Sequence, residues 1–75
     1  MAKSHSDPFL LKLGGRVKAL RKQREMSQEE LAEACDIDRT YVSGIERGIR
    51  NITVLLLRDI ARALDVDPQR LISNK

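Results

Sequence analysis

Residues 27–48 read SQEELAEACDIDRTYVSGIERG, and they carry the signals of two short helices joined by a tight turn. Ser27 is followed three residues later by Glu30, which is the pattern of a capping box and predicts a helix start. Asp38 is a good N-cap for a second helix that begins at Arg39. The two starts are close enough that only a short turn fits between the helices.

The other residues of this stretch fit the same layout. Asp36 tolerates the left-handed backbone that a turn requires, and Gly48 is typical of the residue that follows a helix. Apolar residues recur at helical spacing and predict the inward faces, formed by Leu31, Ala32, Cys35, Val42 and Ile45. The second helix then presents an outward face of Arg39, Thr40, Ser43 and Gly44. The stretch predicts a helix-turn-helix, a unit that lays its second helix in the major groove of DNA.

A longer helix is predicted before this motif. It should begin with Asp7 as N-cap and Pro8 at its first position, and run to about Glu25. Its apolar stripe is predicted to face the core and consists of Phe9, Leu13, Val17 and Leu20. Gly14 and Gly15 lie inside this helix, and each should cost about 1 kcal/mol relative to alanine unless it admits a close neighbour.

Two further helices are predicted after the motif. The fourth runs from its N-cap Thr53 to Leu64, and the short fifth helix opens with Asp67 and Pro68. Their inward residues are predicted to be Leu57, Ile60, Ala61, Leu64, Leu71 and Ile72. The expected fold is all-α, with five helices and no strands, and with the helix-turn-helix as helices 2 and 3.

Length and charge are consistent with one small domain and a polyanionic partner. We expect a polar, disordered tail over residues 1–6 and a single domain over residues 7–75. The 14 Lys and Arg outnumber the 11 Asp and Glu, and the pI near 9.4 suits a partner such as nucleic acid. The single Cys excludes an intramolecular disulfide, and nothing looks like a secretion signal or membrane span, so we expect a cytosolic protein without a membrane partner.

Catalysis and metal binding find little support in these residues. One His and one Cys, without paired carboxylates, offer no general acid–base set. Cys35 is better interpreted as a small buried hydrophobe than as a nucleophile. The carboxylates around the motif match no calcium loop, and no second His or Cys is present for zinc. We therefore expect neither an enzyme nor a cofactor.

Residues 16–72 resemble the repressor-type helix-turn-helix domains of phage repressors and Cro-like regulators, the XRE family. The resemblance rests on positions that occur in register, namely Gln28, Ala32, Ile37, Val42, Ile45, Glu46 and Gly48. Within that family, DRTYVSGIERGIRN at residues 38–51 looks most like the small controller proteins of restriction–modification systems. The resemblance implies a compact lambda-repressor-like domain with double-stranded DNA as its partner.

Arg39 is the strongest candidate for reading bases. It stands at the start of the second motif helix, and its guanidinium matches O6 and N7 of guanine bidentately. Thr40, Ser43 and Gly44 share its outward face, and the two short side chains can approach base edges. A solvated charge without a target is the alternative for Arg39.

Four other residues are expected at the DNA backbone. The resemblance implies that Gln28 anchors a phosphate at the start of the first motif helix. Arg50 and Asn51, just past the second motif helix, look like further backbone contacts. Tyr41 is ambiguous, since its ring can pack beside the groove while its hydroxyl reaches a phosphate or a base. The exposed charges Lys18, Lys22 and Arg24 are as well explained by solubility as by DNA.

The resemblance also implies an internal ion pair. In the family, the acid at the position of Glu46 pairs with an arginine of the first helix, and Arg21 occupies that place here. Such a pair would fix the angle between the two helices, because breaking a buried pair costs about 3 to 5 kcal/mol. Two independent surface charges are the alternative.

Leu55 and Leu56 depart from the family pattern, in which polar residues are common at these positions. Exposing a leucine forgoes about 1.5 to 3 kcal/mol relative to burial, so a partner surface is the economical explanation. We expect both leucines in the interface of a twofold homodimer, whose two reading helices lie about 34 Å apart on one face of the duplex. The alternative is that they cover a small core.

The leading functional hypothesis is a homodimeric transcriptional regulator that binds a near-palindromic operator, with the restriction–modification controller proteins as the closest resemblance. The alternative is an antitoxin or phage-type repressor of the same fold that binds a protein partner through helix 4. Contact with RNA polymerase is left open by the sequence.

Overall fold

A computed structural model describes residues 7–73, which form five α-helices. The helices are α1 (Pro8–Gln23), α2 (Gln28–Cys35), α3 (Arg39–Glu46), α4 (Val54–Leu64) and α5 (Gln69–Ile72). No strand occurs in this part of the chain, and none of its helices is long and apolar enough to span a membrane. The all-α prediction is confirmed, with the helix-turn-helix as α2 and α3. The predictions for residues 1–6, including His5, lie outside the described residues.

Side-chain caps fix the starts of the first four helices, as predicted. Ser27 and Glu30 form the full capping box, with Glu30 N donating to Ser27 Oγ at 3.0 Å and Ser27 N donating to Glu30 Oε1 at 2.8 Å. The starts of α1, α3 and α4 are capped by Asp7, Asp38 and Thr53. These contacts satisfy N–H groups that a helix leaves without an internal partner.

Residues other than glycine adopt the left-handed conformation after three of the helices. Asp36 and Asp65 follow α2 and α4 with φ of 58° each. Glu25 has φ of 56° and lies in the turn after α1, so the predicted end of the first helix near Glu25 is two residues too late. A residue with positive φ cannot continue a right-handed helix.

A Schellman motif ends α3. Gly48 has φ of 80°, and its N–H donates to the carbonyl of Ile45 at 3.0 Å. The N–H of Ile49 donates to the carbonyl of Gly44, also at 3.0 Å. Both bonds of the motif are therefore present, and they turn the chain sharply after α3.

The core is formed by one face of each helix. Its buried side chains are Leu13, Val17, Leu20, Leu31, Ala32, Cys35, Val42, Ile45, Ile60, Ala61, Leu64 and Leu71. The predictions of burial for Phe9 and Ile72 are wrong, because these side chains are 53% and 38% exposed. Both line an open cavity of about 130 Å³ with Leu57 and Val54, where the ends of α1, α4 and α5 do not close over one another.

Gly14 allows α1 and α3 to pack closely. A Cβ atom added at Gly14 would collide with the carbonyl oxygens of Ile45 and Glu46, the last two residues of α3. A Cβ atom at Gly15 would meet open space. A close neighbour thus explains the glycine at position 14, whereas Gly15 has no such neighbour.

Candidate nucleic-acid interface

The start of α3 lies beside the start of α2 and presents polar side chains. Arg39 and Thr40 are exposed, and Ser43 is half-buried. Arg39 Nη1 donates a hydrogen bond to Gln28 Oε1 at 3.2 Å, which holds the guanidinium near the first turn of α2. The other N–H groups of this planar fork can still reach an acceptor outside the protein.

Thr40 is tied to the cap of its own helix. Its hydroxyl and its backbone N–H both donate to the Asp38 carboxylate, the N–H at 3.2 Å. These two hydrogen bonds lower the pKa of the Asp38 carboxyl. Because the hydroxyl hydrogen is used inside the protein, Thr40 presents a methyl group and oxygen lone pairs to a ligand.

Arg21 and Glu46 form the ion pair that the resemblance implied. Arg21 Nε lies 2.6 Å from Glu46 Oε2, and the two side chains are 9% and 3% exposed. Burial alone would raise the pKa of the Glu46 carboxyl, but hydrogen bonds from Arg21 and Gln28 outweigh it and hold the pKa below its ordinary value. The same pairing raises the pKa of Arg21. Both groups are therefore charged, and they join α1 to the end of α3.

Gln28 bridges this buried pair to Arg39, a contact that sequence reasoning missed. Its Nε2 donates to Glu46 Oε1 at 3.0 Å, and its Oε1 accepts from Arg39. A carboxylate can only accept hydrogen bonds, so the amide must turn its NH₂ group to Glu46 and its carbonyl oxygen to Arg39. The expected phosphate contact of Gln28 would then use the second N–H of the amide.

Gly44 is buried, so the expectation of an open outward position is wrong. The side chain of Arg50 covers it, since a Cβ atom added at Gly44 would lie 2.8 Å from Arg50 Cγ and 3.2 Å from Nε. The Arg50 guanidinium carbon lies 5.0 Å from the centre of the Tyr41 ring. The structure thus brings together Gly44, which the sequence assigned to base edges, and Tyr41 and Arg50, which it assigned to the DNA backbone.

The remaining predicted site residues lie toward α4. Asn51 is exposed and lines the open cavity beside Val54. Leu55 is 62% exposed, as expected, and Val54 is 79% exposed. Leu56 is half-buried against the core, so it is not exposed as Leu55 is and fits in part the alternative that these leucines cover a small core. Leu56 precedes the buried Ile60 by four residues and therefore shares its inward face.

The carboxylates and the single thiol of residues 7–73 are the remaining candidates for other chemistry. No group of His, Cys, Asp and Glu side chains in this range could hold a metal ion. Cys35 is buried, and burial together with the charge of Asp59 raises the pKa of its thiol. A thiol with a raised pKa in an apolar site is a poor nucleophile.

Comparison with known proteins identifies relatives over most of the chain. A family model described as helix-turn-helix matches residues 17–71. Control protein C.BamHI of Bacillus amyloliquefaciens is 44% identical over 63 residues, which cover 83% of this chain and 78% of that protein. The crystal structure of the restriction–modification controller protein C.AhdI from Aeromonas hydrophila has a TM-score of 0.84 at 42% identity, covering 87% of this chain and 98% of that one.

A second solved structure includes nucleic acid. The controller protein C.Esp1396I, crystallised as a tetramer with its natural 35 base-pair operator, has a TM-score of 0.75 at 41% identity and covers 81% of this chain and 80% of that one. These similarities span α2 and α3 together with the helices that pack against them. The chain therefore belongs to the XRE-type helix-turn-helix family of transcriptional regulators, the family of the restriction–modification controller proteins.

Proposed function

We propose that this protein binds a near-palindromic DNA operator as a homodimer and regulates transcription from it. The observation that carries the proposal is the start of α3, where Arg39 is exposed and is held by Gln28 beside the first turn of α2. An arginine at this place in a helix-turn-helix is suited to bidentate recognition of guanine. Thr40 and Ser43 are assigned to the same groove.

The residues that we assign to the DNA backbone lie on α3 or next to it in the structure. We assign four residues to phosphates, namely Gln28, Tyr41, Arg50 and Asn51. Arg50 is exposed, and its guanidinium lies over the Tyr41 ring on the surface of α3. Phosphate contacts position a protein on DNA, whereas base contacts give the sequence preference. Arg39 and Arg50 are thus expected to affect binding in different ways.

We place the interface of the proposed homodimer on α4. Leu55 and its neighbour Val54 form an exposed apolar patch, and Leu56 contributes the exposed part of its side chain. A twofold interface would place two copies of α3 about one helical turn of DNA apart. If the protein is instead an antitoxin, we expect the same patch to bind a small partner protein.

The similarity to C.BamHI and C.AhdI supports a finer proposal, namely that the operator controls genes of a restriction–modification system. Such a regulator would act in the cytoplasm, without a catalytic step and without a cofactor. The neighbouring genes test this part, because a restriction endonuclease gene is expected beside the gene for this chain and a toxin gene is expected for an antitoxin.

The direct experiment is footprinting on the DNA upstream of the protein's own gene. We expect a protected near-palindrome with two half-sites about one helical turn apart, and loss of protection with Arg39→Ala. Arg70→Ala is the matched control, because it removes an exposed cation from α5, to which no DNA contact is assigned, and leaves α3 intact. Absence of a protected site, or equal protection of random DNA, would contradict the proposal.

A further inference from the structure

Arg50 lies folded back on α3, although it comes four residues after the end of that helix. The Schellman motif at Gly48 reverses the chain, and the Arg50 side chain then runs across Gly44 toward the Tyr41 ring. Tyr41 and Gly44 are three residues apart, so they are neighbours on one face of α3. The ring and the glycine together form a shallow seat for one side chain.

The two halves of the seat act on different parts of Arg50. At Gly44 the space that a Cβ atom would fill is taken by Arg50 Cγ, 2.8 Å from the ideal Cβ position. At Tyr41 the guanidinium carbon lies 5.0 Å from the ring centre, within the range of a cation–π contact. The glycine therefore admits the aliphatic part, and the ring attracts the charged end.

The charge held in this seat remains available to a ligand. Ion pairs within residues 7–73 join Arg21 to Glu46 and Arg58 to Asp59, and Arg50 takes part in neither. Arg50 is exposed, whereas Tyr41 is half-buried. A guanidinium that rests on a ring without a carboxylate partner can still donate to a phosphate oxygen.

We infer that Tyr41 and Gly44 are positioning residues for Arg50, and that they hold its guanidinium on the surface of α3 for contact with a DNA phosphate. The inference rests on the DNA-binding function proposed above. It replaces the expectation that Gly44 meets base edges, because Arg50 covers Gly44. It also gives Tyr41 a role through its ring, independent of the hydroxyl.

The central test is Gly44→Ala, measured as the Kd for the operator. Alanine is a better helix former than glycine, so α3 should form, but the added methyl must displace Arg50. We expect binding to weaken about two- to fivefold, the size of an exposed cation–π contact. Gly15→Ala is the matched control, since its Cβ meets open space and operator binding should be unchanged.

Two tyrosine variants and a double-mutant cycle separate positioning from direct contact. Tyr41→Phe keeps the ring and should therefore weaken binding less than Tyr41→Leu does, and the step from Phe to Leu should cost about as much as Gly44→Ala. In the Arg50→Ala background, Gly44→Ala should have little further effect and Tyr41→Leu should equal Tyr41→Phe, because the residue that the glycine and the ring position is gone. Thermal unfolding of each variant checks that α3 remains folded.

Nuclear magnetic resonance of the free protein gives a readout that does not depend on DNA. The Arg50 guanidinium carbon lies 5.0 Å from the centre of the Tyr41 ring, so this ring should shift the δ-methylene protons of Arg50 upfield. We expect this ring-current shift to vanish in Tyr41→Leu, to shrink in Gly44→Ala and to persist in Gly15→Ala and Tyr41→Phe.

The outcomes distinguish this inference from the proposed function. Wild-type affinity in Gly44→Ala, or an undiminished effect of Gly44→Ala in the Arg50→Ala background, would overturn the inference while operator binding stands. A wild-type protein that binds no operator would overturn both. An absent ring-current shift would overturn the inference whatever the DNA affinity.

Discussion

Arg21 of α1 donates two hydrogen bonds to the carboxylate of Glu46, the last residue of α3, at 2.6 and 3.0 Å. The same guanidinium donates to the backbone carbonyl of Met26 at 2.8 Å. One side chain therefore ties α1, the turn before α2 and the end of α3. The angle at which α3 is presented depends on this buried charge pair.

The ion pair of Arg21 and Glu46 should make the stability difference between the wild type and Glu46→Gln depend on pH. Because the pKa of Glu46 is lowered in the folded protein, its stabilisation is fully present above the ordinary glutamate pKa of about 4.3 and is lost as pH falls through the lower folded value. At neutral pH the variant should lose about 3 to 5 kcal/mol of unfolding free energy, because Arg21 is left buried without its partner.

Urea unfolding at a series of pH values from 7 to below 4 measures this difference. The gap between wild type and Glu46→Gln should narrow in acid. Glu33→Gln, at an exposed position of α2, is the control and should track the wild type. A gap that stays constant across the series would show that the Glu46 charge does not supply the stability.

Arg39→Ala should reduce specific binding by about 1 to 3 kcal/mol and relax the preference at one G·C pair. The reason is that Arg39 is exposed at the start of α3 and retains donors beyond its bond to Gln28. Gel shifts on the operator, on single base-pair variants and on random DNA measure the effect. Equal losses on all three would instead indicate a phosphate contact.

Gly14→Ala and Gly15→Ala should change stability in opposite directions. The first places a methyl group against the backbone of α3, which cannot move aside, and should cost about 1 to 3 kcal/mol. The second improves helix propensity at an exposed site and should gain about 0.5 to 1 kcal/mol. Thermal unfolding of the two variants measures both changes. A stabilising Gly14→Ala would contradict the close contact between Gly14 and the backbone of α3.

The double variant Val54→Ser/Leu55→Ser should give a folded monomer. The two side chains are 79% and 62% exposed, so their loss should leave the core intact while it removes the proposed dimer patch. Operator affinity should fall steeply, because a monomer holds one half-site without the benefit of linkage. Sedimentation at several concentrations, circular dichroism and gel shifts measure these effects.

Ile49→Ser is the control for the dimer variant, since Ile49 is also exposed but lies between α3 and α4. It should remain dimeric. If Val54→Ser/Leu55→Ser stays dimeric and binds normally, the interface lies elsewhere. If it unfolds, the two residues support the core.

The features predicted well from the sequence are those that depend on neighbours in the chain. The cap at Ser27, the cap at Asp38 and the left-handed Asp36 each involve residues only a few positions apart. Helical spacing likewise predicted most of the core, because a face repeats every three to four residues. The pair of Arg21 and Glu46 was implied by family resemblance rather than by local pattern.

The errors have a tertiary origin. Phe9 and Ile72 have the right spacing but lie near helix ends, where no neighbouring helix covers them. Leu56 is half-buried because it lies on the same inward face of α4 as Ile60, four residues later, whereas its neighbour Leu55 lies on the exposed face. The position of Arg50 over Gly44 depends on a chain reversal at Gly48, and no periodic pattern encodes such a contact.

Asp36 and Asp65 place negative charges at helix C-termini, where the macrodipole is also negative. Both also adopt a backbone conformation that asparagine tolerates as readily as aspartate. An amide at either position would remove the repulsion and keep the turn. We therefore expect Asp36→Asn and Asp65→Asn each to raise the thermal stability without changing the side chains of the reading helix.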